Sequence, residues 1–144
     1  MDPHTQNLSQ LVICRLIEQG VLDKHLSNLT SEHRRRRDAM VQALRRHVPA
    51  ARLRFSVPDG GMYLWCQLPK AIRAQAVQQH APQESVMVLT GTPFYVDQGG
   101  DHQLRICYTS QPASRAIQVA KTLARSLAAA VRDGSASPTT SRMV

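Results

Sequence analysis

Apolar residues at helical spacing open the chain. Leu8, Leu11, Val12 and Leu16 form one stripe over residues 7–18, the pattern of an amphipathic helix, and Gly20 is a natural stop. The spacing predicts a second, longer helix over 22–47. Its stripe runs Leu22, Leu26, Leu29, His33, Arg36 or Arg37, Met40 and Leu44. The steps alternate between three and four, as a face set against another layer requires. The middle of the stripe is polar, so this helix is expected to bridge two environments rather than lie on one core throughout.

After Pro49 the period shortens to that of a strand. Leu53, Phe55 and Val57 alternate with Arg54 and Ser56. Met62, Leu64, Cys66 and Leu68 alternate with Tyr63, Trp65 and Gln67. Pro58-Asp59-Gly60-Gly61 between them is a turn signal, so the two segments predict a hairpin. A short helix over 72–80 follows, with Ile72, Ala76 and Val77 inward, and Pro82 ends it. Then come a short apolar strand over 86–90, a loop at Gly91-Thr92-Pro93-Phe94-Tyr95, a Gly99-Gly100-Asp101 turn and a last strand over 103–109. Ser110 is placed to cap the final helix, with Pro112 in its first turn. Ile117, Ala120, Leu123 or Ala124, Leu127 and Val131 are expected to line its buried face. From Asp133 onward the Ser, Thr and Pro content predicts a frayed tail.

This order reads as an α+β domain: a small mixed or antiparallel sheet with helices mainly on one face. The first helix has little to cover in such a unit. It reads as the end of something upstream, which makes the chain a fragment. The expected division is 1–20 as a helical remnant, 21–132 as the domain and 133–144 as a flexible tail.

Composition narrows the function classes. With 144 residues, 42% of them hydrophobic and 19% charged, the chain is of ordinary globular type. No apolar run reaches the length of a membrane span, and the first ten residues lack the layout of a signal peptide. The net charge of +8 is carried mostly by arginine, since Lys24, Lys70 and Lys121 are the only lysines. Such a balance can favour polyanions. Its dense run, Arg34 to Arg37, points in four directions around a helix and lacks interleaved aromatics. A solvated or interdomain face is therefore the plainer reading. Cys14, Cys66 and Cys107 are widely spaced, and six histidines show no metal-ligand spacing, so neither a disulfide framework nor a metal centre is expected. A phosphate-binding glycine loop, a nucleophile elbow and paired carboxylates are likewise missing.

One residue breaks its pattern. In the strand over 103–109, Leu104, Ile106 and Tyr108 share one face, and Arg105, Cys107 and Thr109 the other. An arginine at the centre of a short strand needs a carboxylate or several acceptors if it is partly buried. Its planar fork can grip a carboxylate or phosphate through two parallel bonds. From the residues alone, a structural or solvent-facing role, an internal salt bridge and anion binding all stay open.

Five motifs occur in order. They are a helix pair around Gly20; Arg34-Arg35-Arg36-Arg37-Asp38-Ala39-Met40; Pro58-Asp59-Gly60-Gly61-Met62-Tyr63-Leu64-Trp65; Gly91-Thr92-Pro93-Phe94-Tyr95; and Leu104-Arg105-Ile106-Cys107-Tyr108. Together they resemble the C-terminal small domain of a fold-type I pyridoxal-phosphate enzyme of the class I/II aminotransferase group. The resemblance is to 2-aminoadipate aminotransferase-like enzymes and to the aminotransferase-like domains of MocR-type GntR regulators. It implies that Arg105 grips the α-carboxylate of an amino acid or 2-oxo acid substrate. It implies that Gly91, Phe94 and Tyr95 approach the same pocket, and that Gly60-Gly61 is a fold feature near the substrate entrance. The family's Schiff-base lysine lies in a serine- and glycine-rich loop, and none of the three lysines here has that context. The catalytic groups and the pyridoxal 5'-phosphate would then belong to a missing N-terminal large domain, with no cofactor expected on this chain alone. The resemblance further implies a homodimeric, cytoplasmic parent away from membranes, which transfers an amino group between an amino acid and a 2-oxo acid. Two alternatives stand beside it. One is the effector-binding fragment of a MocR/GntR-type regulator, the only case in which nucleic acid enters. The other is a stand-alone carboxylate-binding or protein-interaction domain without catalysis.

Overall fold

The computed structural model describes residues 7–81 and 88–135. Its elements are α1 (Asn7–Glu18), α2 (Val21–His47), β1 (Arg54–Phe55), β2 (Tyr63–Gln67), α3 (Ala74–His80), β3 (Val88–Thr90), β4 (Gln103–Cys107) and α4 (Ala116–Ser135). The four strands form one sheet in the order β1-β2-β4-β3. Every pairing is antiparallel, which settles the choice between a mixed and an antiparallel sheet.

Alternation in sequence becomes two-sidedness in space. Leu64 and Cys66 of β2, Leu104 and Ile106 of β4 and Val88 of β3 are buried. They join Met40 and Leu44 of α2, Val77 of α3, and Leu123 and Leu127 of α4 in one core. The helices thus cover one face of the sheet. Cys66 behaves as a small core hydrophobe, and burial pushes its thiol up to about 12.

Several expected details shift. The strand over 53–57 contracts to two residues, with Leu53 buried and Val57 exposed. Pro58 stops further pairing there because it has no N–H to donate. Met62 is exposed as well, so the inward stripe of β2 starts at Leu64. The buried face of α4 is Ala116, Val119, Ala120, Leu123, Leu127 and Ala130, while Ile117 and Val131 are exposed. Ala116, Ala120 and Ala130 let this helix sit close to its neighbours around the buried Leu123 and Leu127. Ser110 does not cap α4. Its hydroxyl donates to the Cys107 carbonyl, and the chain enters α4 through a tight turn at Ala113–Arg115 that follows Pro112. Pro82 and residues 86–87 of the expected β3 lie outside the described residues, as does the tail beyond Ser135.

The two halves of α2 differ. Met40, Val41, Ala43 and Leu44 are buried, whereas Leu26 and Leu29 are exposed, as are Leu8, Leu11 and Val12 of α1. The arginine run marks the division. Arg36 donates to the Thr109 carbonyl at 2.6 Å and to Glu32 at 2.7 Å. Arg37 donates to the carbonyls of Pro58 and Asp59. Two of the four arginines therefore lash the helix to the far end of β4 and to the hairpin turn, and only the others fit a solvated face. Glu32 accepts from Arg35 as well as Arg36. These hydrogen bonds, Arg35 first, hold its carboxyl down at about 2. A carboxylate lowered in this way stabilises the fold above its ordinary titration range and loses that contribution as pH falls through about 2. Carbon-detected NMR titration of Glu32 is expected to place its midpoint there. Alanine at both Arg35 and Arg36 should return it towards 4.5. A midpoint near 4.5 in the unaltered chain would show that the arginine pairs do not persist in solution.

Candidate functional site

The face of the sheet away from the helices carries the site. Antiparallel register sets Trp65 of β2 opposite Arg105 of β4, Tyr63 opposite Cys107 and Gln67 opposite Gln103. Leu89 of β3 flanks Arg105 on its other side. The Gly91–Tyr95 loop folds back over this face. The Gly91 amide donates to the Gln103 carbonyl, which extends the β3–β4 ladder by one bond. The chain then makes a single tight turn at Thr92–Phe94.

That turn brings Phe94 onto Arg105. The guanidinium carbon lies 4.1 Å from the centre of the Tyr63 ring and 4.3 Å from the centre of the Phe94 ring. Both contacts are within cation–π range. Trp65 meets Phe94 edge to face at 5.6 Å, so the loop aromatic has a partner of its own. The Nε of Arg105 is buried and has no hydrogen-bond partner. No carboxylate among the described residues pairs with this arginine. An internal salt bridge is thereby set aside within the described residues. A buried, unsatisfied N–H of a charged group is costly, and such a group calls for an acceptor from elsewhere.

The remaining residues singled out in the sequence fall around this centre. Tyr95 hydrogen-bonds Gln103 through its hydroxyl. Its partner Gln103 lies two residues along the strand from Arg105. Gly91 is buried and packs against the Gly99–Gly100 turn. A Cβ there would stand 2.8 Å from the Gln103 Cβ and 3.0 Å from the Gly100 carbonyl oxygen. It therefore acts on the loop's path, while Phe94 and Arg105 are in direct contact. Gly60 and Gly61 lie at the hairpin turn, where their carbonyls accept from the Tyr108 hydroxyl. Cys107 is half-buried beside Thr109. Partial burial raises its thiol, but hydrogen bonds with Thr109 and Ser110 outweigh this and lower it. Sequence reasoning missed Tyr63 and Trp65 as parts of the site. Their signal was present, because alternation placed both on one face of β2. What it lacked was the pairing of β2 with β4.

A family model described as aminotransferase class I and II matches residues 5–122. The chain belongs to that family. Among curated members, a 2-aminoadipate transaminase of Thermus thermophilus is 32% identical over 126 residues, covering 88% of this chain and 31% of the relative. Aromatic-amino-acid aminotransferase 1 of Thermococcus litoralis is 28% identical, covering 88% and 30%. The fold agrees. An α-aminoadipate aminotransferase of Thermus thermophilus, solved with N-(5'-phosphopyridoxyl)-L-leucine, superposes with a TM-score of 0.80 at 30% identity. That match covers 91% of this chain and 33% of the other. A kynurenine aminotransferase of Pyrococcus horikoshii gives 0.71 at 27% identity, covering 79% and 28%. The architecture is that of the C-terminal small domain of these fold-type I enzymes, and the chain spans about a third of the length of its curated relatives.

Pyridoxal-phosphate aminotransferases hold their cofactor through a lysine, and this aminotransferase chain does not fit that task by itself. Lys24 lies on the outer half of α2, Lys70 in the connection after β2 and Lys121 on α4. All three are exposed, and none stands on a strand or in the Gly91–Tyr95 loop. Among the described residues no cluster of His, Cys, Asp and Glu could hold a metal ion. No described helix is long and apolar enough to cross a membrane.

Proposed function

We propose that this chain supplies the substrate-carboxylate grip of an enzyme that moves an amino group between an amino acid and a 2-oxo acid. The observation that carries the reading is the Arg105 guanidinium, in cation–π contact with two rings and with a buried Nε that has no partner. Its N–H groups point out in the plane of the fork. A carboxylate is flat and offers two acceptors in that plane. Its charge also answers the unpaired cation.

On this reading Phe94 and Tyr95 shape the approach to Arg105, and Gly91 keeps the loop close enough to do so. The electron sink of the reaction comes from pyridoxal phosphate, held by the part of the parent enzyme outside the third of its length that this chain spans. The parent enzyme is a homodimer of the cell interior. What this chain does is bind: it fixes the carboxylate end of the substrate.

The test uses the single tryptophan, which touches Phe94 and so reports on the loop. Titration with 2-oxoglutarate should change Trp65 fluorescence and saturate. Arg105→Lys keeps the charge and loses the fork. It should weaken binding about ten- to a hundredfold, the worth of a charge-assisted bidentate contact. Equal affinity in the two proteins would overturn the assignment.

A further inference from the structure

We infer that Phe94 is a positioning residue, whose ring holds the Arg105 guanidinium in the one orientation that can receive a carboxylate edge-on. The inference rests on the carboxylate reading above and deepens it by naming the group that gives Arg105 its geometry.

Arg105 leaves the middle of β4, so its backbone is fixed by ladders to β2 and β3 on both sides. Its side chain is a different matter. A long, free arginine side chain samples many rotamers, and binding a ligand would have to order it. No hydrogen bond restrains its Nε, and no described carboxylate pairs with it. The two rings are what hold it. Tyr63 belongs to β2 and is set by strand register, so it forms a fixed floor. Phe94 belongs to the loop, and its ring centre lies 4.3 Å from the guanidinium carbon as a second aromatic contact. Without Phe94 the guanidinium would keep one aromatic face and gain freedom to swing off it.

Phe94 is in turn placed by backbone bonds and a ring contact. Its amide donates to the Gly91 carbonyl at 2.9 Å, and the edge-to-face contact with Trp65 stops the ring from turning outward. At 45% exposure Phe94 contributes little to the core. Its retention in this pose is better explained by what it touches than by burial. Ordering the fork before the ligand arrives raises affinity by lowering the cost of binding.

The experiment compares the 144-residue chain with Phe94→Ala, Phe94→Tyr and Arg105→Lys. Two readouts are taken on each: 2-oxoglutarate affinity from Trp65 or amide signals, and the nitrogen-detected NMR signals of the Arg105 side chain. In the unaltered chain the Nε–H signal of Arg105 should be resolved, with slow rotation about the guanidinium bond. Phe94→Ala should speed that rotation and weaken carboxylate binding about five- to tenfold, with the amide spectrum of the sheet unchanged. Phe94→Tyr keeps a ring face and should restore both. If Phe94→Ala leaves rotation and affinity unchanged while Arg105→Lys loses affinity, the positioning role is overturned and the carboxylate reading stands. If Arg105→Lys binds as well as the unaltered chain, the carboxylate reading fails. The side-chain signals then decide separately whether Phe94 orders the guanidinium, and unchanged rotation in Phe94→Ala overturns that too.

Discussion

Alanine at Gly100 is expected to destabilise the domain by roughly 3 kcal/mol or more, combining backbone strain with overpacking. Gly100 has a φ of +82°, and a Cβ there would stand 2.4 Å from the Gly91 carbonyl carbon and 2.5 Å from the Thr92 nitrogen. Both obstacles are backbone, so neither can swing aside as a flexible side chain would. Relief requires the Gly91–Tyr95 loop to lift away from β4, which also carries Phe94 off Arg105. Thermal unfolding followed by circular dichroism should show a midpoint lower by on the order of 10 °C. Gly60→Ala provides the control, since nothing lies within 4 Å of its added carbon and its φ is outside the left-handed region. Matching losses in the two variants would mean that the contact between loop and turn is not formed in solution.

The other large effect concerns the core directly behind the site. Leu104 is fully buried at the centre of the sheet, paired with Cys66 on one side and Thr90 on the other. Leu104→Ala should cost about 2–5 kcal/mol through lost burial and the cavity left behind. That is a large share of the stability of about 5–15 kcal/mol of an ordinary domain. Denaturant unfolding should show a lower midpoint with the slope retained. Leu89→Ala, on the open face beside Arg105, should change stability by less than about 1 kcal/mol. Comparable losses would contradict the two-sided sheet.

The contrast between these two leucines also shows how far the sequence could be followed. Strict alternation in 62–68 and 103–109 assigns Leu64, Cys66, Leu104 and Ile106 to one face, and all four are buried. The same alternation made Arg105 stand out, because a charge at mid-strand has to be accounted for. Its surroundings were not legible. Tyr63 meets Arg105 through pairing between strands some forty residues apart, and Phe94 meets it through a loop whose turn depends on a close approach to Gly100. Neither distance leaves a mark in a local period. The long helix misled for a different reason. Leu26 and Leu29 continue the stripe that Met40 and Leu44 complete, yet only the later pair is buried. Periodicity registers that a face is apolar, not whether a partner for it lies in the same chain. The arginine run looked like solvent-facing charge because helical geometry spreads it. Arg36 and Arg37 nonetheless reach carbonyls of β4's far end and the hairpin turn, contacts that involve no apolar signal at all. On α4, Ala116 and Ala130 are buried and Ile117 is exposed, since close packing selects for small size where a hydrophobicity pattern weighs bulk.

The fastening of α2 at its midpoint has a mechanical consequence. One end of the helix is embedded against α4, and Arg36 and Arg37 clasp it where it leaves the sheet domain. From Arg36 back to Val21 the helix projects by roughly 23 Å at the usual rise per residue, so a rotation of about ten degrees at the clasp displaces its tip by about 4 Å. It is a lever with its fulcrum at the arginines. A small tilt of the sheet that carries Arg105 is thereby magnified at the apolar end formed with α1.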